Sequence, residues 1–90
     1  MLVLIKYGCE NPGDCWKMEI ADENDVIVLI QNGVLWAISD EIDLYLQKRN
    51  IQVLDSDLFA RGYHKEDSKV PLINYDGLVS LIETHEQAMG

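Results

Sequence analysis

Bases are scarce in this 90-residue chain: seven Lys and Arg stand against sixteen Asp and Glu, a formal charge of −9 at pH 7. Nucleic-acid binding is driven by Lys and Arg neutralising phosphates, so no direct RNA or DNA contact is expected. Cysteine is equally thin, with Cys9 and Cys15 the only two. In a reducing compartment such a pair stays as thiols rather than closing a structural disulfide. Their spacing is not C-x-x-C, and no second Cys/His pair completes a tetrahedral site, so neither a metal nor a cofactor is expected. Long apolar runs are missing too. The stretch Val26 to Ile30 is as long as any and falls far short of a membrane span. Met1 to Lys6 lacks a basic leader and a small-residue cleavage site, which reads as a strand and points to the cytoplasm. No repeat, low-complexity stretch or Pro/Gly/Ser-rich linker divides the chain, so residues 1–90 read as one domain. A chain of this length buries roughly 65% of its unfolded surface and has no room for a separate catalytic domain.

What is present is an alternation of strand and helix signals. Leu2 to Tyr7 is a nearly continuous β-prone run, suited to a strand covered on both faces. Asn11-Pro12-Gly13-Asp14 opens a helix running to about Ala21, with Asn as cap and Pro at the first position. Val26 to Ile30 reads as a central strand, ended by Gln31-Asn32-Gly33. Val34 to Ile38 forms a helical turn, Asp40 to Arg49 a helix, and Asn50 closes it. Ile51 to Leu54 is a third strand. Asp55-Ser56 caps a short helix through Arg61, with Gly62 at the left-handed C-terminal position. Val70 to Ile73 is a short fourth strand that Pro71 assigns to an edge. From Tyr75 onward Leu78, Leu81 or Ile82, His85 and Met89 form the apolar stripe of a last helix. Strands alternating with helices imply βαβ crossovers. The expected fold is a small three-layer α/β domain with a mostly parallel four- to five-stranded sheet and helices on both faces. Ligands and partners of such sheets gather at the carboxyl ends of the strands, which would bring together Gly8 to Asp14, Gln31 to Trp36 and Asp55 to Gly62.

These segments carry a resemblance. Val28-Leu29-Ile30-Gln31-Asn32-Gly33-Val34 with Ala37, then Val53-Leu54 leading into Asp57-Leu58-Phe59-Ala60-Arg61-Gly62, and Val70 through Ile73-Asn74-Tyr75-Asp76-Gly77-Leu78-Val79 to His85 resemble the DsrH/TusB proteins of the DsrE/F/H-like superfamily. The resemblance implies a cytoplasmic sulfur-relay subunit. Its partners would be DsrE/TusD-like and DsrF/TusC-like chains, and sulfur would pass toward 2-thiolation of the tRNA wobble uridine or within sulfur oxidation. It further implies that the principal persulfide cysteine belongs to the DsrE/TusD-type partner. Some DsrH proteins carry a cysteine in the first helix. That position falls near Lys17 here, and the closest thiol is Cys15, about 200° away around a helix.

Two residues are candidates for chemistry and three for contacts. Cys15 lies one turn into a helix whose N-terminus, with Lys17 and Lys6, would lower its pKa; Glu10 and Asp14 oppose this, and burial beside Trp16 and Met18 is the structural alternative. Cys9 follows the first strand at the carboxyl edge, where a loop thiolate can exchange persulfide, although no His nearby in sequence acts as base. Trp36 is either a partner anchor or a core residue. Arg61 binds an anion or caps helix carbonyls. His85 belongs to the core or an interface, and His64 is solvated in its charged loop. Three functions follow: a structural subunit of a sulfur relay, a persulfide carrier using Cys9 or Cys15, or an unrelated α/β protein that self-associates into a homo-oligomer.

Overall fold

A computed structural model describes residues 1–8, 10–46, 49–85 and 88–89. Five strands form one sheet: β1 (Leu2–Ile5), β2 (Val26–Leu29), β3 (Asn50–Leu54), β4 (Leu72–Ile73) and β5 (Ala88–Met89), in the order β4-β3-β2-β1-β5. Every neighbouring pair is parallel; β1 and β2 run in register from Leu2 opposite Val26 to Ile5 opposite Leu29. The expected α/β architecture is therefore present, with β4 at an edge as Pro71 suggests. Pro71 has no N–H to give, yet its carbonyl accepts from Val53 N at 3.0 Å.

The helices divide between the two faces. α1 (Pro12–Ile20), the 3-10 helices Gln31–Ile38 and Asp40–Leu44, and Leu58 of α2 (Asp55–Ala60) pack on one face against Val3, Ile5, Ile27, Leu29, Ile51 and Val53. On the other face Leu78 and Leu81 of α3 (Tyr75–Thr84) meet Leu2, Val28 and Leu54. Strand alternation dictates this split, since neighbouring residues face opposite sides. α1 and α3 start as their sequences prescribe. The side chain of Asn11 accepts from Asp14 N at 3.1 Å, and that of Asn74 from Gly77 N at 2.7 Å.

Several boundaries differ from the sequence reading. β1 ends at Ile5, and Tyr7 lies outside it, exposed. Of the stretch read as a helix over 40–49, residues 47 and 48 lie outside the described residues, and the rest contains a five-residue 3-10 helix, Asp40–Leu44, capped by Ser39. In 3-10 geometry residues i and i+3 eclipse, and here that drives Ile42 and Tyr45 into the core together. Asn50 opens β3 rather than closing a helix. α2 is capped by the extended Leu54 without a side-chain bond, so Asp55 and Asp57 sit in its first turn. Met89 belongs to β5 and not to the last helix, which ends at Thr84. The fifth strand of the four- to five-stranded expectation is Ala88–Met89, and a short 3-10 helix, Lys65–Asp67, lies between α2 and β4. Gly62 does take the left-handed conformation expected of it, with φ +84°.

Candidate functional site at the carboxyl edge

The three loops expected to meet at the carboxyl ends of the strands do meet. Trp36 Nε1 donates to the carbonyl of Tyr7 at 3.1 Å, joining the 3-10 helix after β2 to the loop after β1. Gly33 lies so close to β1 that a Cβ there would come within 2.0 Å of the Ile5 carbonyl oxygen. The turn before it is fixed from α2. Gln31, the one described non-glycine residue at positive φ (51°), gives its N–H to Asp57 Oδ2 at 2.6 Å. Asn32 Oδ1 accepts from Arg61 Nε at 3.1 Å, and Arg61 also donates to the Asp57 carbonyl. The strained Gln31 is thus held by Asp57 of α2, and its neighbour Asn32 by Arg61 at the end of that helix.

The loop after β1 has its own anchor, which sequence reasoning missed. Asp14, 3% exposed, accepts from Lys6 N at 2.9 Å and Tyr7 N at 2.7 Å, and pairs with Lys17 Nζ at 3.2 Å. Read from sequence, it is an ordinary first-turn acid favoured by the helix dipole. Nothing in the spacing reveals that its carboxylate reaches back across the chain to the end of β1. Charge-assisted bonds to two successive N–H groups make it the fixed point of this loop.

Cys9 lies outside the described residues. Cys15 is half-buried on α1 against the core that contains Met18 and Trp36. Burial pushes its thiol above the ordinary value, and the carboxylates of Glu41, Glu19, Asp14 and Glu10 push it further. The helix N-terminus does not prevail, and Lys17 spends its charge on Asp14. Met18 is fully buried, whereas Trp16 is 60% exposed.

The remaining candidates separate. Trp36 is 1% exposed and meets Tyr45 edge-on at 6.0 Å, a core position. Arg61 caps the end of α2 and fastens the Asn32 turn. His85 lies at the opposite, amino end of the sheet. Its N–H caps α3 on Leu81, and its charge acts on Asp25, just before β2. The Asp25 carboxyl is held below the usual range first by its hydrogen bond from the Met1 ammonium, then by the N–H of Asp22, with the charges of Met1 and His85 adding. A hollow of about 320 Å³, lined by Ala21, Asp22, Glu23, Asn24 and Arg49, also lies at this amino end. Among the described residues no three of His, Cys, Asp or Glu gather as a metal site, and no helix is long and apolar enough to cross a membrane.

An all-parallel sheet with its loops braced together at the carboxyl edge defines a small α/β domain. The chain belongs to the DsrH family: the family model for DsrH like protein matches residues 14–88. Two NMR structures of the Thermotoga maritima protein Tm0979 are similar to it throughout. One is 43% identical, covers 99% of this chain and 98% of its own, and superposes with a TM-score of 0.75. The other, presented as a candidate sulfur transferase, is 41% identical over 98% of this chain and 97% of its own, with a TM-score of 0.68. No curated protein matches the sequence.

Proposed function

We propose that this chain is a cytoplasmic sulfur-relay subunit that supports persulfide transfer by a partner rather than carrying sulfur on Cys15. The observation that carries this reading is the state of that thiol. A relay cysteine must ionise near neutral pH to attack a persulfide. Burial and four surrounding carboxylates hold Cys15 in the opposite direction. Family membership and the likeness to a candidate sulfur transferase support the sulfur chemistry. In this reading the persulfide cysteine resides on a DsrE/TusD-like chain, a DsrF/TusC-like chain completes the assembly, and sulfur ends on the tRNA wobble uridine or enters sulfur oxidation. The −9 charge leaves any tRNA contact to a partner. A second reading gives the carrier role to Cys9, which follows in sequence directly on Gly8 at the carboxyl edge, beyond the N–H groups that Asp14 fixes.

One experiment separates the two. The chain is incubated with a cysteine desulfurase and labelled cysteine, alone and with its DsrE-like and DsrF-like partners, and persulfides are mapped by mass spectrometry. The subunit reading expects label on the DsrE-like chain, undiminished by Cys9→Ser or Cys15→Ser here. Label on this chain that disappears with Cys9→Ser gives the carrier role to Cys9. No label on any chain of the assembly removes the sulfur-relay reading altogether.

A further inference from the structure

The side chains that α1 turns away from the sheet are not those a solvent-facing helix flank requires. Met18 is fully buried against the core. Trp16 and Ile20, two residues to either side of it, stand about 160° around the helix and so point outward. Trp16 is 60% exposed and Ile20 47%. One turn apart, with Cβ atoms about 6 Å from each other, they form an apolar ridge where polar residues are the rule. The second 3-10 helix lies alongside, tied to α1 by the bond from the Tyr45 phenol to Glu19. It contributes Leu44, at 79% more exposed than any other large apolar residue described.

The charge around the ridge restricts what can sit on it. Residues 10–23 and 39–45 hold eight of the sixteen acids and a single base, Lys17, which pairs with Asp14. Lys69 matches Asp40 and Asp43. Glu10, Glu23 and Glu41 pair with no cation among the described residues. Glu10, Glu19 and Glu41 lie close enough to Cys15, the residue before Trp16, for their charges to act on its thiol.

Such a surface repels nucleic acid and anionic lipid. It repels a second copy as well, for that copy has seven bases among sixteen acids, and Lys17, Lys69, Arg49 and Arg61 are all bound within the chain. The complement is a surface with apolar side chains along its middle and Lys or Arg on its flanks. Two anchors one helical turn apart match the holes between side chains of another helix. We propose that the Trp16–Ile20 ridge is a docking surface for a basic amphipathic helix of a different protein. The assignment stands independently of the sulfur-relay reading.

Isothermal titration of the full chain tests it, with far-UV circular dichroism confirming the fold of each variant. The probe is a synthetic helical peptide about five turns long, leucine on one face and arginine on the other. It is expected to saturate the chain one to one. Trp16→Ser and Ile20→Ser are each expected to weaken binding about tenfold or more. Ile82→Ser, as exposed as Ile20 but on α3 over the opposite face, leaves it unchanged. Glu41→Lys weakens it at low ionic strength, and the deficit shrinks in salt. Absence of binding, or binding that both ridge variants leave unaltered, overturns the proposal. So does equal affinity for oligo-arginine, which lacks the apolar face, or for the same peptide with glutamate in place of arginine. A failure on any of these counts leaves the outcome of the persulfide mapping in place.

Discussion

The phenol of Tyr45, at the end of the second 3-10 helix, donates a 2.7 Å hydrogen bond to Glu19 Oε1 on α1. Arg49 lies 5.1 Å from the centre of the same ring and donates to the carbonyls of Met18 and Glu19 at the end of α1. Trp36 meets the ring edge-on from the first 3-10 helix. One side chain thus ties together three elements of the layer that contains Cys15.

That tie has a signature in alkali. The bond to Glu19, then burial, then the negative charge of Glu19 push the Tyr45 phenol up to about 12 from its ordinary 10.0. A raised phenol pKa means the folded state holds its proton more tightly. The stability this contributes is complete below about pH 10 and is lost as pH rises through about 12. Tyrosinate absorbance should show one late-titrating phenol, and Glu19→Gln should bring that step to lower pH.

Asp14 fixes the loop after β1 from a buried position, so Asp14→Ala leaves the N–H groups of Lys6 and Tyr7 without their acceptor. The expected loss is about 3 kcal/mol of folding stability. Urea denaturation measures it, and a loss below about 1 kcal/mol would mean that water replaces the carboxylate at little cost.

Gly33→Ala places a methyl against the backbone of β1, with no flexible side chain to move aside. A destabilisation of about 3 kcal/mol or more is expected. Gly62→Ala meets no neighbouring atom and suffers only from its positive φ, so it should cost about 1 kcal/mol. The ratio between the two variants is the informative quantity.

In a Cys9→Ser background, Cys15 should react with iodoacetamide near neutral pH more slowly than free cysteine, because its thiolate fraction is reduced. Glu41→Gln should speed the reaction modestly, since burial is the larger cause and remains. A rate above that of free cysteine would remove the basis for assigning sulfur transfer to a partner.

The sequence reading and the structure agree where residues act on near neighbours. The caps at Asn11 and Asn74, the apolar run Val26 to Ile30, and Gly62 all declare themselves through local chemistry, and alternation then yields the α/β fold. The reading fails where distant partners decide. Asp14 looks like a dipole-compensating acid until the end of β1 is laid beside it. The stretch 40–49 has helical spacing, but Ile42 and Tyr45 satisfy a 3-10 turn equally well, and packing against Trp36 and Glu19 settles it. Met89 fits a helical stripe as readily as a strand, and only its pairing with Val3 distinguishes them. For the site, the meeting of three loops was legible from topology. The burial of Trp36 and the electrostatics of Cys15 depend on tertiary neighbours that the spacing does not encode.

The edge strand β4 contributes two residues, Leu72–Ile73. Strand addition feeds on a long run of unpaired backbone, and β4 is too short to template one. Growth of the sheet by stacking more chains side by side is therefore discouraged at that border.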